Sequence, residues 1–342
     1  MASIFIFISG AALLIYSAEK LVGYLVGTAS GLKISVFLLA IVFTGIEFDD
    51  IVLGIALNLE DLQKVALGLV FGTAISFTGL VLALAAILTP VRVHVPHDYL
   101  AIFAVAPLVM VVFTLTAPLT ASDGAMLLVL FALFLAYIVV RESRRKVPTF
   151  RNAELYEELV SGNPGGELAG KSSADELPFA EARKLPGWAS LGLAVLALLG
   201  LIIGAAATST GTEGILEDYG IEATVFGATI VTLALTMEDL FLTVEPVRKG
   251  VPAIGIGNII GSLIFSVTGK LGIIVLAGGT IAVGPEVLRW HLSALIVLTG
   301  LAALFLATGR LRRWHGFVLL GLYVVYWGVS FGVFGVAPVD AS

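Results

Sequence analysis

Apolar runs of membrane-crossing length recur along the chain, each closed by a short polar stretch. Ten are legible, at roughly 3–29, 34–58, 65–89, 98–119, 123–141, 187–210, 222–246, 253–281, 286–308 and 314–337. At 1.5 Å per helical residue, about 20 residues cross the roughly 30 Å of hydrocarbon in a bilayer, so each run predicts a membrane-spanning helix. The first run is too long for a signal peptide and lacks a basic leading region and a small-residue cleavage site, so Met1 to Gly31 reads as a mature span. Between the fifth and sixth runs, Glu142 to Pro186 is rich in Glu, Lys, Arg, Gly and Ser. It reads as a solvated connector with one short amphipathic helix near Ala153 to Val160. The expected organisation is therefore a first five-helix unit over 1–141, a linker over 142–186 and a second five-helix unit over 187–342.

Composition sharpens this picture. Of 342 residues, 58% are hydrophobic and 13% charged, with mean hydropathy +1.05. Soluble domains carry about a quarter charged residues, so this chain cannot cover a globule with polar surface. A soluble enzyme and a nucleic-acid binder are excluded on that ground. The net charge of −6 is too mild to imply a partner, and the absence of cysteine removes disulfides and thiolate metal sites. His94, His97, His291 and His315 lie near predicted helix ends and form no zinc-hydrolase motif.

Alternating the ten spans places Lys33, Arg92, Arg141, Arg144, Arg145, Lys146, Arg248, Lys249, Arg310, Arg312 and Arg313 on one side, and only Lys64 and Arg289 on the other. Excess Lys and Arg marks the cytoplasmic face, which puts the linker in the cytoplasm and both termini outside. Trp188, Trp290 and Trp314 at span ends fit an interfacial aromatic belt.

The second half repeats the first at an offset of 189 residues. Gly31 meets Gly220, Val36-Phe37 meet Val225-Phe226, Asp49-Asp50 meet Glu238-Asp239, Gly68 meets Gly257, Gly72 meets Gly261 and Thr73 meets Ser262. With an odd number of spans in each half, the halves lie in opposite orientations, the build of many secondary transporters whose ion site sits at the midplane between repeats.

The second span carries Thr44-Gly45-Ile46-Glu47-Phe48-Asp49-Asp50 and the seventh carries Thr236-Met237-Glu238-Asp239. One charge at the centre of an inserting helix costs about 2.5–3.5 kcal/mol, so these five acids must face a polar interior. Glu47 and Asp50 share one helix face, as do Thr236 and Asp239. Asp49 and Glu238 are turned about 100° away, toward neighbouring helices or an access path. The third and eighth spans add Gly68-Leu69-Val70-Phe71-Gly72-Thr73 and Gly257-Asn258-Ile259-Ile260-Gly261-Ser262, with Ser266 one turn on. Carboxylates, hydroxyls and carbonyls form an all-oxygen site suited to hard cations. The candidate ligands are Glu47, Asp50, Thr73, Thr236, Asp239, Ser262 and Ser266, with Asp49, Glu238 and Lys270 as further members. For the glycines alone, ordinary helix packing is the alternative.

These stretches resemble the calcium/cation antiporter superfamily, the group containing sodium/calcium exchangers, whose two inverted repeats each carry G-T-S-x-P-E followed by G-N-x-x-G-S-N. The resemblance implies an all-α membrane protein of ten transmembrane helices in two inverted five-helix repeats. It sets Asp50 and Asp239 at the ion-binding glutamates, Glu47 and Thr236 at serines of the first motif, and Thr73 and Ser262 at serines of the second. Asp49 and Glu238 stand where the family has prolines and Leu69 where it has an asparagine. Phe77 and Ser266 stand where it commonly has an amide or carboxylate.

Lys270 lies one turn beyond Ser266 on the same face. One reading pairs it with Asp50, Asp239 or Glu47 in place of a bound monovalent ion, coupling transport to protons or to fewer sodium ions. The other has it snorkel to the nearer surface or pair structurally with Glu238. Glu19-Lys20 read as a locally compensated pair without a transport role. The leading functional expectation is an antiporter exchanging Ca²⁺ for Na⁺ or H⁺ by alternating access, with Mg²⁺ as the rival divalent ion and no cofactor. A prokaryotic plasma membrane is the simplest location. A cation channel, a transport-inactive sensor and an intramembrane aspartyl protease built on Asp50 and Asp239 are the competing classes. Carboxylates crowded into one cavity repel one another, so protons compete with metal for them. Uptake should therefore weaken at acidic pH, and a flat response from mildly acidic to alkaline pH contradicts this.

Overall fold

The computed structural model describes residues 2–32, 36–59, 63–116, 118–144, 185–218, 225–248, 251–284 and 287–334. The amphipathic helix expected at 153–160, most of the connector and the side chains of Asp49 and Glu19 lie outside the described residues. A helix stands at each of the ten predicted positions. The first half contains α1 (Ala2–Leu32), α2 (Val36–Phe43), α3 (Phe48–Leu59) and α4 (Gln63–Ser76). A π-helical turn, π1 (Phe77–Val81), carries α4 into α5 (Leu82–Leu88), followed by α6 (His97–Leu115) and α7 (Ala121–Arg144). The second half contains α8 (Gly187–Asp218), α9 (Val225–Arg248) and α10 (Pro252–Phe265). There π2 (Ser266–Lys270) leads into α11 (Leu271–Gly278), π3 (Val287–His291) into α12 (Leu292–Ala307), and α13 (Arg313–Phe334) ends the described chain.

Among the described residues, seven helices are long and apolar enough to cross a membrane. Two of them, Ala66–Leu88 and Pro252–Gly278, are 83% and 89% buried, whereas the other five are 24–44% buried. These two central helices are therefore sheathed by the rest. The sheath turns Phe5, Ile8, Val112, Leu133, Leu196 and Leu304 outward, where they match hydrocarbon rather than water.

Glycines set how closely the helices approach. Helices α1 and α8 run antiparallel in backbone contact: a Cβ at Gly204 would lie 2.6 Å from the Leu14 amide nitrogen, and one at Gly211 would lie 2.4 Å from that of Phe7. The predicted pair Gly257 and Gly261 lies against α2, with Gly261 meeting Gly45. Asn58 ties α3 to the end of α11, its amide donating to the carbonyls of Ile274 at 3.0 Å and Gly279 at 3.4 Å.

Packing around the central pair is reciprocal between the halves. Helix α5 rests on α13 and α11 on α7, while α6 packs on α12. The loop strand β1 (Val91–Arg92) pairs antiparallel with β2 (Arg310–Leu311), and Leu119 exchanges backbone hydrogen bonds with Ile281. The two π-helical turns π1 and π2 start at Phe77 and Ser266, which are 189 residues apart. At the end of α6 and α7, Arg141 pairs with Asp98, Tyr137 donates to Asp98 at 2.7 Å and Tyr99 donates to Glu142 at 2.6 Å. Among the histidines, His291 and His315 are buried, and His291 Nδ1 lies 2.7 Å from the Tyr326 hydroxyl.

The Gly45 contact has a measurable consequence. A Cβ there would sit 2.6 Å from the Ile41 carbonyl and 2.9 Å from the Gly261 Cα, and neither backbone can yield cheaply. Gly45→Ala should cost about 1–3 kcal/mol. Gly300→Ala, where nothing lies within 4 Å of the added carbon, should be neutral or stabilising by up to about 1 kcal/mol. Thermal unfolding of the detergent-solubilised protein compares the two; equal Tm values would refute the close approach.

Candidate functional site

The predicted second span is two helices. Thr44 and Gly45 close α2 by donating backbone N–H bonds to the Ala40 carbonyl at 2.8 and 3.2 Å, and α3 opens with the Ile51 N–H donating to the Glu47 carbonyl. Glu47 thus sits in the interruption itself. Irregular backbone at membrane depth survives only inside protein or along a water-filled cavity. Here Thr44, Glu47 and Asp50 are 4%, 8% and 6% exposed.

Into this interruption comes Lys270, the last residue of π2 and completely buried. Its ammonium pairs with Glu47 Oε2, donates to Asp50 Oδ2 at 2.5 Å, and donates to Thr73 Oγ1 at 2.7 Å. Those three acceptors match the three N–H bonds of an ammonium. Thr73 is oriented to accept because its own proton goes to the Leu69 carbonyl at 2.9 Å. Ser266 donates to Glu47 Oε2 at 3.3 Å, adding an oxygen from the second half. Four residues advance slightly more than one turn of a 3.6-residue helix, and the wider i→i+5 turn offsets that drift. Ser262, Ser266 and Lys270 therefore line up on one face. The snorkelling alternative for Lys270 is overturned by this burial, and its partners are Glu47 and Asp50 rather than Glu238.

Helix α9 passes unbroken through the second acidic stretch. Thr236 is buried, and Glu238 and Asp239 are half-buried. Asp239 lies close enough for its carboxylate to repel that of Glu47, as Asp50 does from within the same half. Buried side-chain atoms with no hydrogen-bond partner among the described residues include Glu47 Oε1, Ser262 Oγ and Asn258 Oδ1. Asn258 and Ser262 are fully buried and one turn apart on α10, and the Asn258 amide donates to Thr243 at 3.1 Å.

Glu47, Asp50, Thr73, Ser266 and Lys270 thus meet in one network, with Asp239 within electrostatic reach. Thr236 and Ser262 are buried on the flanking helices, and the Asp49 side chain is outside the described residues. Among the described residues no three His, Asp or Glu side chains are arranged to hold a metal ion. Asn258 and Thr243 were not among the candidate ligands. Asn258 lies in the quoted Gly-Asn stretch, whereas Thr243 has no sequence signal.

The sequence profile of the family described as "Sodium/calcium exchanger protein" matches residues 2–140 and 189–332, most of the chain. The chain belongs to this exchanger family. Its relatives include the sodium/calcium exchanger MaX1 of Methanosarcina acetivorans, 31% identical over 40% of this chain and 39% of that protein. The putative antiporter CaxA of Alkalimonas amylolytica is 27% identical over 95% of this chain and 97% of its own length. Among solved structures, the sodium-calcium exchanger NCX_Mj soaked with Na⁺ and Ca²⁺ superposes with a TM-score of 0.74 at 21% identity, covering 97% of this chain and 99% of that one. The fold of this exchanger-family member is accordingly the all-α membrane fold of NCX_Mj.

Within this network, the Thr73 hydroxyl is the uncharged partner of Lys270. Thr73→Val should cost about 1–3 kcal/mol in unfolding free energy, since it leaves a charged donor one acceptor short. Thr73→Ser keeps the hydroxyl and should recover most of that loss. Equal losses in the two variants, measured by chemical unfolding, would assign the effect to packing instead.

Proposed function

We propose that this chain is a secondary antiporter exchanging a divalent cation for Na⁺ or H⁺ by alternating access, with Ca²⁺ as the divalent ion and Mg²⁺ as its alternative. The observation that carries this reading is the buried network of Glu47, Asp50 and Thr73 from the first half with Ser266 and Lys270 from the second, with Asp239 within electrostatic reach of Glu47. The names of its relatives, exchanger and antiporter, agree with it. The proposed ligands are Glu47, Asp50, Thr73, Thr236, Asp239, Ser262 and Ser266, with Asp49 and Glu238 at the margin. Such a set of oxygens suits a hard divalent cation, or several monovalent ones. Left empty, it is too negative to cross hydrocarbon, and exchange is enforced by that penalty.

In this reading the membrane unit is ten spans in two inverted five-helix repeats, 1–141 and 187–342, joined by a cytoplasmic linker over 142–186. Support comes from the helices at all ten positions, the matched π turns and the reciprocal packing of α5 on α13 and α11 on α7. The Lys and Arg bias supports termini on the outer face of a plasma membrane.

The test is ⁴⁵Ca²⁺ uptake into proteoliposomes with an outward Na⁺ gradient, an outward H⁺ gradient, or neither. Uptake should follow one gradient, fall at least about tenfold in Asp239→Asn, and be competed by Mg²⁺ if that ion shares the site. Uptake indifferent to every gradient would sink the antiporter reading.

A further inference from the structure

We propose that Lys270 is a tethered cation permanently occupying one of the exchanger's cation positions, the one bounded by Glu47, Asp50 and Thr73, so that the external cation is confined to the second-half side of the site. This rests on the antiporter reading for what is exchanged, though not for the occupancy itself. The ammonium is wholly buried and its three donors are all met by oxygen, two of them carboxylate. That is how a dehydrated monovalent cation is held. Unlike a free ion it is anchored within a central helix that is 89% buried. It cannot leave without stranding a buried charge on both sides.

The halves are unequal at this point. The position matched to Lys270 at the 189-residue offset is Val81, an apolar residue, so only the first-half acids acquire an internal counter-charge. Two oxygens outside that pairing are buried and unpartnered among the described residues: Glu47 Oε1, on a carboxylate within electrostatic reach of Asp239, and Ser262 Oγ, one turn before Ser266 on the face that carries Lys270. Both suit an oxygen-seeking ligand next to Ser266, whose hydroxyl already reaches Glu47. With Glu47, Asp50 and Asp239 ionised and Lys270 protonated, and with Asp49 and Glu238 outside the count, the network carries −2. One divalent cation or two monovalent cations neutralise that charge. Exchange of one for the other then moves no net charge, and the empty carrier remains too negative to return.

The first arm of the test concerns binding alone. In detergent at constant ionic strength, replacing choline by Na⁺ should raise the Tm of Lys270→Met more than that of wild type, because the vacated position admits an ion and binding to the folded state stabilises it. The double variant Glu47→Gln/Lys270→Met, which removes the pair together, should respond as wild type does. Equal Na⁺ responses in Lys270→Met and wild type overturn the proposal. So does a Lys270→Met protein that folds in neither Na⁺, K⁺ nor Li⁺ while the double variant folds.

The second arm concerns transport. In proteoliposomes loaded with Na⁺, wild-type ⁴⁵Ca²⁺ uptake should change less than about twofold when a K⁺ ionophore imposes an inside-negative potential, with a ²²Na⁺ to ⁴⁵Ca²⁺ flux ratio near two, as neutral exchange requires. Lys270→Met should raise the ratio and make uptake potential-dependent. A wild-type rate that changes more than about fivefold with potential overturns the proposal. Absence of any gradient-driven uptake in wild type would instead refute the antiporter reading and leave the Na⁺-dependent Tm to judge Lys270.

Discussion

An ammonium in the middle of a membrane bundle has to be neutralised where it stands, because neither water nor lipid will do it. The buried pairing of Lys270 with Glu47 and Asp50 meets that requirement, and much of the local architecture serves it. Removing one partner of such a pair leaves an uncompensated buried charge, at a cost of about 3–5 kcal/mol. The contact joins α3 to the π turn between α10 and α11, elements 220 positions apart in the chain. It is therefore a fastening between the halves as well as a charge balance.

Two backbone irregularities and one glycine contact make the pairing possible. The interruption at Thr44 to Glu47 brings the Glu47 side chain to the end of the ammonium, and α2 is allowed close to α10 because Gly45 and Gly261 have no side chains to separate them. The π turn π2 keeps Ser266 and Lys270 on the face already occupied by Ser262. Each irregularity lies in a buried segment, which shields backbone groups that lipid would penalise. The matching turn π1 has no charged residue, and α9 is unbroken where α2 and α3 are split. A symmetric scaffold therefore holds an asymmetric site.

That asymmetry gives chemical meaning to the departures from the exchanger motifs. The acids are more numerous than the family pattern asks for, with Asp49 and Glu238 in place of prolines, while the central amide or carboxylate positions have become Phe77 and Ser266. Lys270 sets a positive charge against Glu47 and Asp50. Glu47 Oε1 and Ser262 Oγ are buried without a hydrogen-bond partner among the described residues.

Much of this was legible in the sequence, since a bilayer imposes a length and a polarity that apolar runs display directly. Helices stand at all ten positions read from hydropathy, and the 189-residue offset that aligns Gly68 with Gly257 also separates the two π turns. Glu47, Asp50 and Lys270 were identifiable as residues that hydrocarbon cannot accept unpaired. Sequence could not choose their partners: Asp50, Asp239, Glu47, Glu238 and the membrane surface all remained open to Lys270. Nor could it show that the second span breaks at Thr44, that π2 carries Ser266 and Lys270, or that Asn58 and Thr243 bind across helices. A span's burden of charge is a local property, set by the residues it contains. Which charges meet depends on helix approach and rotation, fixed by contacts such as Gly45 on Gly261 between residues more than 200 positions apart, and only the folded bundle decides those.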